Sequence, residues 1–114
     1  MFIGYARTST TDQLAGLEAQ LRDLQAAGCD RTFSERVSSV SDRRELTRAL
    51  QYVREGDTLV VTKIDRLARS TVRLWEIVGD LDARGVGLRV LNLGGEVVDT
   101  KSATGKLILT IFAG

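Results

Sequence analysis

The segment "YARTSTTDQ", residues 5–13, places an alcohol and a permanent cation directly after an apolar stretch. Alternate side chains of an extended chain lie on the same side, so Arg7 and Ser9 share one side of the strand that this stretch predicts. A serine hydroxyl attacks an ester only when a neighbouring group activates it. Because the chain contains no histidine, any activation of Ser9 must come from other side chains.

Arginines occur in two further polar segments. "SDRREL" contains Arg43, and "DRLAR" contains Arg66 and Arg69, which share a face if this turn is helical. In-line attack on a phosphodiester builds negative charge on its non-bridging oxygens, which fixed guanidinium groups can neutralise. Each charge-assisted hydrogen bond is worth roughly 1.5–3 kcal/mol, so two or three of them on one phosphate would raise the rate by several powers of ten. The pattern therefore indicates chemistry on a phosphate ester.

Each of these residues also has a simpler explanation. A serine after a strand is most often a turn or cap residue, and Asp65, after a strand, is by default the N-cap of the next helix. Arg43 would by default lie in a solvated first helical turn. Gln13 and Gln20 are seven positions apart, which is typical of a polar surface stripe on a helix. The hypothesis of a site rests on the combination of these residues, because one serine and four arginines occur in segments that are expected to lie close together.

The composition restricts the classes of protein and of site. The chain has 114 residues and a net charge of only +1, so we expect one domain that does not hold DNA by overall charge alone. Of its 16 basic residues 13 are arginine, which favours bidentate recognition of anions. The single Cys29 excludes an intramolecular disulfide and a cysteine-based metal cluster. No apolar run approaches the roughly 18 residues that span a bilayer, so a cytoplasmic protein is expected.

Apolar runs and periodic segments alternate along the chain, which predicts an α/β fold. The predicted strands are "MFIGYA", a weak edge strand "RTFSE", a central strand "DTLVVTKI" and "VGLRVLNL", with room for a short extra strand in "GGEVVDTKS". The predicted helices run from Thr11 or Asp12 to Gly28, from a capping box of Asp42 and Glu45 to near Gly56, from after "DRLARS" to Gly85, and from "ATGKLILTIFAG" onward. "RVSSVS" predicts a mobile loop. We expect three layers, with a mostly parallel central sheet of four to five strands flanked by helices.

Several helix positions are expected to face the core. They are Leu14, Leu17, Leu21 and Leu24, then Leu46, Leu50 and Val53, then Leu74, Ile77, Val78 and Leu81. The last helix is apolar almost all round, so Leu107, Ile108, Ile111 and Phe112 should lack part of their partner surface. Ligands of open α/β sheets collect outside the carboxyl ends of the strands. Arg7 and Ser9 leave the first strand there, and Asp65, Arg66 and Arg69 leave the central strand at the same edge.

The segments "YARTSTTDQ", "SDRREL" and "KIDRLARST", in this order and at these separations, resemble the signature segments of the serine recombinase family of resolvases and DNA invertases. The likeness spans nearly the whole chain, from "GYAR" through "GVGLRVLN" to "TGKLILTI". It implies a resolvase-like catalytic domain in which Ser9 attacks a DNA phosphodiester, leaving a 5′-phosphoserine link and a free 3′-hydroxyl. The break is resealed after strand exchange without a metal or nucleotide cofactor. The resemblance implies that the phosphate ligands are Arg7, Arg43, Arg66 and Arg69, and that Gln13, Gln20, Asp65 and Thr71 are supporting active-site residues.

The resemblance leaves the proton acceptor for Ser9 open. Asp65 is a candidate base, and a phosphate oxygen is another, whereas a guanidinium with a pKa above about 12 is a poor base. The family pattern also implies that residues 1–114 are a catalytic domain cut at the start of a long dimerisation helix, with its C-terminal DNA-binding domain absent. The expected partners are then DNA and further copies of the protein, as a dimer and as a tetramer at synapsis, and the fragment alone would be inactive.

Two other function classes fit parts of the pattern. The first is a regulatory or assembly module that keeps the resolvase fold without cleaving DNA. Intact Ser9 and the full set of arginines argue against it, because a chain freed from catalysis has no physical need to keep like charges together. The second is a small phosphate-ester hydrolase or nucleotide binder on a similar sheet. No glycine-rich phosphate loop occurs in the chain, and metal ligands are scarce, which disfavours this class.

Overall fold

The computed structural model describes residues 1–8, 14–36, 44–68 and 70–113. The strands are β1 (Phe2–Thr8), β2 (Arg31–Arg36), β3 (Thr58–Val61), β4 (Gly87–Leu93) and β5 (Glu96–Asp99). The helices are α1 (Leu14–Ala26), α2 (Arg44–Tyr52), α3 (Ile64–Leu67), α4 (Thr71–Ala83) and α5 (Ala103–Ala113). The predicted N-caps at residues 11, 12 and 42 lie outside the described residues, as does most of the predicted mobile loop. Among the described helices none is long and apolar enough to cross a membrane.

The five strands form one sheet in the order β2-β1-β3-β4-β5. The first four are mutually parallel, and β5 pairs antiparallel with β4 through Val90 and Val98. The segment "DTLVVTKI" therefore supplies the central strand and "RTFSE" an edge strand, as predicted. "GGEVVDTKS" contributes the short fifth strand. The predicted α/β class with a mostly parallel sheet is confirmed.

Apolar clusters lie on both faces of the sheet, which gives the three predicted layers. On one face Tyr5 and Leu59 pack with buried residues of α2, α4 and α5. On the other face Ala6 and Val60 pack against Leu17 and Leu24 of α1. Because neighbouring residues of β1 and β3 are buried on opposite faces, these strands have continuous apolar runs instead of alternating patterns.

The helical periodicity identifies the buried positions of α4 correctly. All four predicted residues, Leu74, Ile77, Val78 and Leu81, are buried. The helix ends before Gly85, whose φ of 73° lies in the left-handed region that favours glycine. Three leucines of α1 follow the same rule, since Leu17 and Leu24 are buried and Leu21 packs against their cluster, whereas the side chain of Leu14 lies outside the described part of the chain.

The turn after β3 differs from the sequence prediction. The strand ends at Val61, and the four-residue helix α3 begins at Ile64 inside the segment expected to be strand. Ala68 then returns to an extended conformation, with φ −154° and ψ 142°. The reason is that α4 starts afresh with Ser70 as its N-cap, and the Ser70 hydroxyl accepts a hydrogen bond from the Arg73 N–H at 3.0 Å.

The last helix, α5, exposes apolar side chains to solvent within this chain. Leu107 is 61% exposed and Ile111 is 69% exposed, as expected for a helix without its full partner surface. Ile108, in contrast, packs against the main apolar cluster, and Leu109 is fully buried. The side chain of Phe112 lies outside the described part of the chain.

Candidate active site

The end of β1 is held by a glutamine from α1. β1 pairs with β3 as far as Gly4 opposite Val60, so Arg7 lies beyond the last paired position on that side. The side chain of Gln20 takes the place of a strand, because its Oε1 accepts from Arg7 N at 3.1 Å and its Nε2 donates to Arg7 O at 2.8 Å. Gln20 is only 6% exposed. The simpler reading of Gln20 as part of a polar surface stripe is therefore wrong.

The side chain of Arg7 connects the end of β1 to the turn after β3. Its Nη2 donates to the carbonyl oxygen of Asp65 at 2.7 Å, and its Nε donates to that of Arg66 at 3.3 Å. These carbonyls belong to a helix of four residues, whose last C=O groups have no partner within the helix. Arg7 is 5% exposed. The predicted convergence of Arg7, Asp65 and Arg66 at the carboxyl edge of the sheet is thus observed, and Arg7 itself holds the segments together.

The helix α3 carries two of the predicted site residues, Asp65 and Arg66. Asp65 lies inside α3 with an exposed side chain, and the N-cap position is held by Lys63, so the simpler reading of Asp65 as an N-cap is wrong. Arg66 is half-buried. The helix α3 ends at Leu67 and Ala68 is extended, so the helical turn that would place residues 66 and 69 on one face does not continue through residue 68. Thr71 is the first residue of α4 and is exposed.

Four predicted site residues, Ser9, Gln13, Arg43 and Arg69, lie outside the described residues. In the sequence, all four are direct neighbours of described residues, and Gln13 precedes the first residue of α1. Ser9 follows the last residue of β1, Arg43 precedes the first residue of α2, and Arg69 stands between Ala68 and Ser70. Their roles remain the predictions stated above.

Glu35, which the sequence reasoning missed, fixes the start of α2. Its carboxylate accepts hydrogen bonds from Glu45 N at 3.3 Å and Leu46 N at 3.1 Å, and the hydroxyl of Tyr5 donates to the same group. A carboxylate stabilises a helix N-terminus because it pairs with free N–H groups and with the positive end of the helix dipole. The side chain of Glu45 instead accepts from Arg48 at 2.8 Å. The available signal for this contact in the sequence was Tyr5, because a buried tyrosine needs a partner for its hydroxyl.

Replacing Glu35 by Gln should lower the free energy of unfolding by about 1–2 kcal/mol, because the helix start loses a charged acceptor. The measurement is urea unfolding monitored by circular dichroism. Glu76→Gln is the matched control, because Glu76 is exposed and pairs only across one turn of α4 with Arg73, and it should change stability by less than about 0.5 kcal/mol. Equal losses in the two variants would contradict the capping role of Glu35.

The single thiol of the chain lies away from this edge. Cys29 precedes β2, at the amino end of the parallel strands, whereas Arg7 lies at the carboxyl end. Burial, together with the neighbouring Asp30 carboxylate, raises the pKa of the Cys29 thiol to about 11. Because the thiolate is the reactive form, this cysteine is a weak nucleophile at neutral pH. Within the described ranges no group of three or more Cys, Asp or Glu side chains is arranged to hold a metal ion.

Comparisons with known proteins agree with this fold and these segments. A family model described as the resolvase N-terminal domain matches residues 2–114. The chain is 41% identical over 112 residues to the DNA-invertase hin of Salmonella typhimurium strain LT2, covering 97% of this chain and 56% of that protein. It is 42% identical over 112 residues to the serine recombinase gin of Escherichia phage Mu, covering 97% of this chain and 55% of that protein. The chain thus spans about half the length of these curated relatives.

A solved structure shows the same architecture. The crystal structure of the N-terminal catalytic domain of TP901-1 integrase superposes with a TM-score of 0.75 at 26% identity, covering 98% of this chain and 90% of that chain. A resolvase family site-specific recombinase from Streptococcus pneumoniae, at 20% identity and a TM-score of 0.73, shares the fold over 97% of this chain and 84% of that chain. On the match of the family model to almost its full length, this chain belongs to the resolvase N-terminal domain family.

Proposed function

We propose that the chain is the catalytic domain of a site-specific serine recombinase, in which Ser9 attacks a DNA phosphodiester. The attack forms a 5′-phosphoserine bond and releases a 3′-hydroxyl, which later reverses the reaction on a new partner strand. The observation that carries the proposal is the contact of Arg7 with the carbonyls of Asp65 and Arg66, because it brings two distant predicted site segments to one sheet edge. The names of the relatives, DNA-invertase and serine recombinase, support the same reaction.

The proposed catalysis is electrostatic. As the Ser9 oxygen approaches phosphorus, charge develops on the non-bridging oxygens, and guanidinium groups stabilise that charge without themselves losing a proton. Arg7 is held at the sheet edge by its hydrogen bonds to α3, and Arg66 belongs to that same helix. Arg43 and Arg69 would complete the set. Pre-positioned donors are effective because little reorganisation is needed during the reaction.

The proton of Ser9 has two candidate acceptors. Asp65 is exposed on α3, and its carboxylate would be available to a proton carried directly or through one water. A phosphate oxygen of the substrate is the other acceptor. The variant Asp65→Asn distinguishes the two acceptors, since it removes the carboxylate and leaves the phosphate unchanged. Loss of cleavage would favour Asp65, and unchanged cleavage would favour the phosphate oxygen.

The proposed partners are DNA and further copies of the protein. The curated relatives are about twice as long as this chain, and on this proposal the selection of the DNA site belongs to a segment outside residues 1–114. Leu107 and Ile111, exposed on α5, would pack in a dimer, and two dimers would form the tetramer that exchanges strands. An enzyme with this substrate would act in the cytoplasm.

The test is cleavage of a DNA duplex by the complete protein. A bound duplex is first selected from a random-sequence library and then nicked near its centre, so that a cleaved fragment diffuses away and the covalent adduct accumulates. The adduct should form in EDTA, its 3′ end should be extended by a polymerase, and its 5′ end should be blocked by protein. Binding without any adduct would instead favour a non-catalytic module with this fold.

A further inference from the structure

An open groove of about 580 Å³ lies beside the candidate active site, between α1 and the carboxyl ends of β3 and β4. One wall is a face of α1 with small side chains, among them Gly16 and Ala19. The other wall includes Lys63 and Asn92, and Arg66 lies where the groove meets the active-site edge. The groove exists because, among the described helices, α1 is the one whose residues cover this face of the sheet.

Lys63 is the exposed cation on the rim of this groove. It stands between β3 and α3 in an extended conformation, with φ −145° and ψ 156°. Within the described part of the chain no acidic side chain pairs with its ammonium group. Its carbonyl accepts from Arg66 N at 3.2 Å, so Lys63 and Arg66 belong to one turn. A ligand phosphate beside Arg66 therefore has a second cation close by.

The other polar groups of the groove define which end is positive. Asn92 on the opposite strand has its Oδ1 bonded to Gly95 N at 2.9 Å, which orients its amide. Asp23 on α1 is the acidic residue of the lining, and it follows Gly16 by seven positions, or roughly 10 Å along the helix. Anions are therefore favoured at the end of the groove nearest the sheet edge and disfavoured farther down.

We propose that Lys63 binds a second backbone phosphate of the DNA, next to the phosphate that is cut, and that this end of the groove receives the strand. The inference rests on the proposed function. Consecutive phosphates of one strand lie only about 3.4 Å apart along the helix axis, so a strand held at Arg66 must bring neighbouring phosphates to the same turn. A peptide would need an apolar anchor site, and among the described lining residues only Leu91 is a large apolar side chain.

The test compares the salt dependence of duplex binding for the complete protein and three variants, using the selected duplex without its nick. Lys63→Gln should reduce the slope of log affinity against log salt by about 1, because one counterion fewer is released per lost phosphate contact. Lys63→Arg should keep the slope of the unchanged protein. Arg22→Gln is the matched control, since Arg22 is exposed on α1 outside the groove lining and its loss removes the same charge.

A phosphate-by-phosphate measurement locates the contact. Neutral methylphosphonates replace single phosphates around the cleavage position, one in each duplex. On the duplex that lacks the charge of the phosphate bound by Lys63, the unchanged protein and Lys63→Gln should bind with equal affinity. If Lys63→Gln and Arg22→Gln have the same slope on the unmodified duplex, the inference is wrong, and a protein segment becomes the better occupant of the groove. Adduct formation is measured with the same protein preparations on the nicked duplex, so a protein that forms the adduct but shows no effect of Lys63 on binding overturns this inference alone. Absence of adduct overturns the proposed function.

Discussion

Arg7→Lys should slow DNA cleavage by about two to three orders of magnitude while the protein stays folded. The lysine keeps a positive charge at the edge of the sheet but lacks the planar fork with which Arg7 donates to the carbonyls of Asp65 and Arg66. The α3 turn then loses its link to β1, and the charge developing at phosphorus loses a positioned donor. Removal of one such donor commonly costs roughly 10²–10³ in rate. The measurement is the single-turnover rate of adduct formation on the nicked duplex.

Arg22→Lys is the control for this variant, because it makes the same chemical change on an exposed face of α1. It should cleave DNA at the rate of the unchanged protein. Far-ultraviolet circular dichroism and a thermal melt establish that both variants are folded. Cleavage by folded Arg7→Lys at an unchanged rate would show that the arrangement at the end of β1 does not serve catalysis.

Gly105→Ala should destabilise the protein by about 3 kcal/mol or more, since overpacking against rigid atoms lies at the upper end of its usual range. A Cβ at position 105 would overlap the carbonyl oxygen of Asp99, a backbone atom that cannot rotate away. Asp99 is itself fixed, because its carboxylate accepts from Arg89 Nε at 3.1 Å and from Lys101 N at 2.8 Å. The start of α5 would have to move off β5. Thermal and urea unfolding measure the loss.

Gly79→Ala provides the matched control within a helix. A Cβ at Gly79, in the interior of α4, meets nothing within 4 Å, so the change should stabilise the protein by up to about 1 kcal/mol through helix propensity. Opposite signs are therefore expected for the same substitution at two helical glycines. Stabilisation by Gly105→Ala would contradict the close packing of α5 on β5.

Local patterns in the sequence were sufficient for most of the fold. The apolar runs of β1 and β3 and the periodicity of α4 arise from burial of one residue after another, and this signal is contained within each segment. The same reasoning identified Arg7, Asp65 and Arg66 as neighbours, because parallel strands bring their carboxyl ends to one edge. Both predictions needed only element types and strand order.

The features that reasoning from the sequence missed depend on contacts between distant segments. Gln20 is buried because pairing of β1 with β3 stops after Gly4, and no periodicity within α1 reports where that pairing ends. Glu35 caps α2 across a gap of ten positions, and no local pattern in the sequence indicates that contact. The turn after β3 breaks at Ala68 because Ser70 caps a new helix, which an argument from residue spacing alone does not detect.

The central claim is that an alcohol at the end of β1 attacks phosphorus beside guanidinium groups held at one sheet edge. Its most direct measurement is to digest the trapped protein–DNA adduct and to identify by mass spectrometry the residue that carries the nucleotide. The account predicts a nucleotide on Ser9 and no adduct from Ser9→Ala. A nucleotide on Tyr5, Thr8 or Thr10, or an adduct that persists in Ser9→Ala, would contradict it.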